Sequence, residues 1–133
     1  MYVEDEKREK YYGKRIKNAK LIEREGGGED SLQLEFEDGT GIDVWDNGQS
    51  CCESRYITCD DIPEDLIGGR LVKIEARDGG SEENEYGEHE TMFVEVATDR
   101  AFITLTTHNE HNGYYGGFML EITERVGRPE EGE

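Results

Sequence analysis

The stretch "HNEHNGYYGG" gathers His108, Asn109, His111, Asn112, Tyr114 and Tyr115 near the end of the chain, and the third histidine, His89, precedes them in "EYGEHE". An imidazole can ligate a metal, move a proton near neutral pH, or act as either hydrogen-bond partner. Together with Cys51 or Cys52 of "DNGQSCCESRY", the histidines could complete a four-ligand zinc set. The spacing fits loosely. Zinc motifs supply a pair such as C-x-x-C from one rigid turn, whereas here H-x-x-H lies among asparagine and glycine and the cysteines are consecutive. Loop histidines bonded to nearby backbone are the simpler reading, and a metal stays an open assignment.

A Cys–His pair could also act as a nucleophile, since imidazole can hold a thiol as thiolate. Cys51 and Cys52 read more simply as small apolar groups packed one to each side of a strand, and no catalytic residue is assigned. The stretches "EYGEHE" and "DDIPED" offer paired carboxylates for a hard cation or for acid–base work. In a chain with 33 acidic residues such clusters are expected on any solvated face. A recognition loop is the fourth possibility. Arg55 with Tyr56, Tyr114 and Tyr115 would stack a base and hold a phosphate, against the alternative of a tyrosine-rich lid over the core.

The elements that must carry these residues follow period two. "LQLEFE" sets Leu32, Leu34 and Phe36 on one side, "IDVW" follows after a turn at Asp38 and Gly39, and residues 31–46 read as a hairpin. "TMFVEVATDRAFITLTT" repeats the arrangement, with its turn at Thr98, Asp99 and Arg100. "GKRIKNAK" from Gly13 and "GGRLVKIE" from Gly68 precede the two hairpins, each followed by a Gly-rich acidic connection. We read a weak internal duplication, residues 13–58 and 68–122, in which each polar segment leaves an equivalent strand end and the two converge. "CDDIPEDLIG" suggests a short helix with Asp60 or Asp61 as N-cap, and "GFMLEITERV" a last strand with Phe118, Leu120 and Ile122 inward.

The fold expected is mainly β: an antiparallel sheet of six or seven strands forming a sandwich or partial barrel, with one or two short helices. Residues 1–12 form a charged turn or short helix, 13–126 a single domain, and 127–133 an acidic tail. At 133 residues, 33% of them hydrophobic, the chain supports one modest core. Its net charge of -18 repels nucleic-acid backbones and anionic membranes, and the charge serves solubility, salt adaptation or mimicry of nucleic acid toward a basic partner. The start of the chain lacks an apolar leader region and no stretch is apolar enough to span a bilayer, so an intracellular protein is expected, with its three cysteines reduced.

At "DNGQSCCESRY", "EYGEHE" and "HNEHNGYYGGF" the chain resembles a family of small proteins of unknown function encoded mainly by tailed bacteriophages and prophages. The resemblance covers roughly residues 13–122. It carries over to Asp46, Gly48, Cys51, Cys52, Glu53, Arg55 and Tyr56, and to Glu88, His89, His108, Asn109, His111, Asn112, Gly113, Tyr114 and Tyr115. It implies a phage origin and little chemistry; the acidic stretch 78–88 and the acidic ends depart from it. The expectation is a non-enzymatic accessory binding protein without cofactor in the cytoplasm of the infected bacterium, inhibiting or modulating a host or defence component. Its partner is a protein or a small anionic, nucleotide-like ligand, and a homo-oligomer is possible. A metal-dependent or Cys–His enzyme and a minor virion protein are the alternatives.

Overall fold

The computed structural model describes residues 8–23, 30–47, 54–84, 87–111 and 117–125. Among these residues eight strands form: β1 (Ile16–Ile22), β2 (Ser31–Phe36), β3 (Gly41–Asp46), β4 (Ser54–Cys59), β5 (Leu71–Asn84), β6 (Gly87–Thr98), β7 (Phe102–His111) and β8 (Leu120–Arg125). They make two antiparallel four-stranded sheets, ordered β1-β2-β3-β8 and β4-β7-β6-β5. A mainly β fold was expected, but as six or seven strands of one sheet. The added strand is β4, whose only buried residue is Ile57, so its alternation is too weak to read.

The inward phases of both sheets meet in one core. Leu32, Leu34, Phe36, Leu120 and Ile122 of the first sheet and Val94 and Val96 of the second are all buried in the same cluster, as their alternation predicts. Phe36 is fully buried and stacks on Tyr11, with ring centroids 5.8 Å apart. Tyr11 sits in a helical turn whose Tyr11 and Tyr12 amides donate to the Arg8 and Glu9 carbonyls, so Tyr11 belongs to the core and Tyr12 packs against it.

Each sheet is a three-stranded meander completed by a strand from the other half of the chain: β4 pairs with β7, and β8 with β3. At one corner the segments 13–16 and 68–71 join β1 to β5. Gly13 N donates to Leu71 O (2.7 Å) and Gly68 N to Ile16 O (2.8 Å); Ile16 N donates to Gly69 O (2.9 Å) and Leu71 N to Lys14 O (3.0 Å). Arg15 Nη1 donates to Gly68 O (2.6 Å) and Arg70 Nη1 to Gly13 O (3.0 Å). Exchanging the two segments reproduces the whole set. Both Gly13 and Gly68 have φ of 93°, a region that a side chain resists. No barrel closes among the described residues.

Two local expectations are corrected. Of the stretch 78–88, read as an acidic loop, residues 78–84 and 87–88 are the outer part of the β5–β6 ribbon, interrupted by a bulge between Asp78 and Ser81 with Gly80 at φ 94°. Residues 77–83 are exposed, so no apolar phase marks the strand. The expected helix is a single 3-10 turn, Pro63–Leu66, whose N-cap is Ile62. Asp61 does not cap it; its carboxylate accepts from Thr104 N at 2.8 Å, which ties the turn to β7.

Candidate functional site

Strand parity sorts the candidate residues onto two faces of the second sheet. On β7, Ile103, Leu105, Thr107, Asn109 and His111 are buried, while Thr104, Thr106, His108 and Glu110 point outward. On β6, Met92, Val94 and Val96 carry the buried phase, and period two extends it to Glu90 and Glu88. On β4, Arg55 shares the inner side with Ile57, and Tyr56 takes the outer side. Arg55 and Tyr56 therefore cannot grip one ligand together.

The inner group closes one end of the sandwich. Arg55 Nη1 donates to Asp46 Oδ2 at 2.7 Å, and the two side chains are 7% and 6% exposed. Arg55 also donates to Gly117 O (3.0 Å), Asn109 Nδ2 donates to the same oxygen (3.4 Å), and Glu90 Oε1 accepts from Gly117 N (2.7 Å). Asp46 Oδ1 accepts from Met119 N at 2.8 Å. Both backbone polar groups of Gly117, its N–H and its C=O, are thus held by side chains from β4, β6 and β7. His111, its side chain 2% exposed, lies opposite Glu88 in the ladder, with Nε2 3.8 Å from Glu88 Oε1 and 3.5 Å from Glu90 Oε1. A cavity of about 440 Å³ lies alongside, lined by Ala76, Gly80, Glu90, Met92 and Phe118 among others. Arg55, buried against a carboxylate, is not presented to a phosphate.

The outer group is a chain of rings. Tyr56 stacks on His108 with centroids 4.4 Å apart and planes 9° from parallel. His108 Nδ1 lies 2.9 Å from His89 Nε2, and its Nε2 lies 2.9 Å from Thr58 Oγ1. One proton placement orders the whole chain: if His89 donates to His108, then His108 donates to Thr58, and the reverse holds throughout. Tyr56 donates to Glu110 Oε2 at 2.6 Å. Burial, and then the neighbouring His89, lowers the His108 pKa from its usual 6.5. Burial and Glu110 push the Tyr56 hydroxyl up to about 12.

The zinc set weighed above does not assemble from the three histidines, because His89 and His108 face outward while His111 faces inward. Cys51, Cys52, Glu53, Asn112, Tyr114 and Tyr115 lie outside the described residues. Cys59 is partly buried, contacts Thr104 O at 3.5 Å, and has its thiol pKa raised by burial, so it is a poor thiolate. The acidic stretches "EYGEHE" and "DDIPED" are not neighbours. Residues 87–90 of the first sit beside His111, whereas the second follows Cys59, which pairs with Leu105 at the other end of β7. Thr58, Glu110 and the convergence of Glu88 and Glu90 on His111 escaped the sequence reading. Their signal was parity: 56/58 with 108/110 for the first pair, and 88/90 in phase with 92/94/96 for the second.

Residues 9–120 match the family model described as Domain of unknown function (DUF7448). No curated protein and no solved structure matches the chain.

Proposed function

The chain belongs to the DUF7448 family, and from that premise we propose that it is a non-enzymatic binding module whose recognition surface is the outer face of the second sheet. The observation that carries this reading is the Tyr56–His108 stack, continued through His89 and Thr58. Flat rings held by strands lose little freedom when a partner covers them, and the imidazoles and hydroxyls give that partner donors and acceptors at fixed places. Phe102, 61% exposed on the same face, adds apolar area. The net charge of -18 favours a basic protein over any nucleic acid.

The setting we propose is a bacterium infected by phage, with a host or defence protein as target; this rests on the resemblance carried by the polar segments. The immobilised protein and a Tyr56→Ala/His108→Ala variant would be exposed to bacterial lysate and the retained proteins identified by mass spectrometry. A protein held by the parent chain and lost by the folded variant supports the reading. Retention of the same proteins by both would discard this face as the recognition surface.

A further inference from the structure

We propose that Glu88, Glu90 and His111 form a mononuclear site for a first-row divalent cation, with Zn²⁺ as the probe. The site lies on the inner end of the second sheet, separate from the outer face assigned above to partner recognition, and it does not depend on that assignment.

The backbone brings the three groups together. Glu88 and Glu90 are two residues apart on β6 and so share one side, and His111 stands directly across the ladder from Glu88. One ligand atom from each residue lies within 4.8 Å of the other two. The separations discriminate between a hydrogen-bonded triad and a coordination polyhedron. An N–H donated to a carboxylate spans about 2.7 to 3.2 Å, whereas His111 Nε2 stands 3.5 Å and 3.8 Å from the two carboxylate oxygens. Bonds of about 2.0 to 2.2 Å at tetrahedral angles set ligand atoms roughly 3.3 to 3.6 Å apart. The observed spacing is close to that edge.

The chemistry of the donors agrees. Two carboxylates and one imidazole suit zinc, manganese or ferrous iron, while magnesium and calcium prefer oxygen alone. Glu90 is oriented by Gly117 N–H on the same oxygen, the kind of outer hydrogen bond that fixes a ligating carboxylate. Two carboxylates side by side in the inward phase repel one another, and a dication relieves that repulsion. The His111 side chain is 2% exposed and the carboxylates 28% and 25%, so water reaches the cluster from the glutamate side. Three protein ligands leave a fourth position for water or an anionic group, and Glu90 also lines the adjoining cavity.

The test is Zn²⁺ binding to the full chain after chelator treatment, followed by competition with a chromophoric chelator, with Co²⁺ absorption as a geometric readout. One equivalent is expected, with affinity reduced at least tenfold in each of Glu88→Gln, Glu90→Gln and His111→Gln, and unchanged in His89→Gln/His108→Gln. The two glutamine replacements of glutamate keep shape at partly exposed positions, so the test stands even if His111→Gln fails to fold. Three results would overturn the site: no saturable binding; affinity retained in both glutamate variants; or binding lost in Cys51→Ser/Cys52→Ser instead.

Discussion

Arg55 of one sheet and Asp46 of the other form an ion pair at 2.7 Å with both side chains more than nine-tenths buried. It bridges the two layers at the end where the core gives way to polar residues. A buried pair of this kind contributes modestly while whole but costs heavily when halved, because the remaining charge is left without its counterpart.

Arg55→Ala is therefore expected to destabilise the fold by about 3 to 5 kcal/mol in urea denaturation. Asp46→Asn keeps an oxygen for Met119 N but removes the charge, and should cost a comparable amount. The double change Arg55→Met/Asp46→Asn should cost clearly less than the sum. Simple additivity would mean that the pair does not act as a unit.

The histidine chain predicts a pH dependence of definite sign. His108 is held below its ordinary pKa of 6.5, so as pH falls past that value the unfolded chain takes up a proton that the folded chain resists. Stability present above pH 6.5 is then lost progressively toward the lower folded-state pKa. The thermal midpoint should fall over this window more steeply in the parent chain than in His108→Gln. Parallel pH profiles for the two proteins would remove the effect.

At the alkaline end the sign reverses. Tyr11 and Tyr56 keep their protons up to about 12, through burial and through Glu124 and Glu110 respectively, against an ordinary value of 10.0. Their contribution is complete below pH 10.0 and is lost as pH rises toward about 12. Ultraviolet titration should find these two phenols ionising late, and Tyr11→Phe/Tyr56→Phe should delete that late phase. Unchanged late absorbance in the double variant would refute it.

Phe36 tests the core. Its ring is fully buried against Tyr11, so Phe36→Ala should cost roughly 3 to 5 kcal/mol without changing the denaturant slope. Unaltered stability would contradict the inward phase of β2.

What the sequence made legible was whatever one apolar phase could mark. Leu32, Leu34 and Phe36, Val94 and Val96, and Leu120 and Ile122 announce their strands and their inner side, and both hairpin turns follow from local chemistry at Asp38, Gly39 and Thr98. β4 and the outer β5–β6 ribbon were illegible because their faces are polar and burial leaves little trace in residue type. For the candidate site residues that the structure describes, the sequence did not reveal the arrangement. Arg55 and Tyr56, adjacent in sequence, part to opposite faces, and His108 and His111 do the same. The internal duplication remains our proposal, supported by the corner where residues 13–16 and 68–71 exchange matching hydrogen bonds.

The strand exchange between halves also governs the route by which the chain reaches this state. Neither meander can complete its sheet from its own half: β3 must wait for β8, and the bond from Arg125 to Asp43 closes a separation of 82 residues. Contacts that distant meet their loop-closure entropy before any pairing offsets it, which slows folding more than it lowers stability. During synthesis the β3 edge stays open until the last strand emerges. The acidic side chains of Glu35 and Asp43, on the outward side of the first meander, then repel other chains while that edge waits.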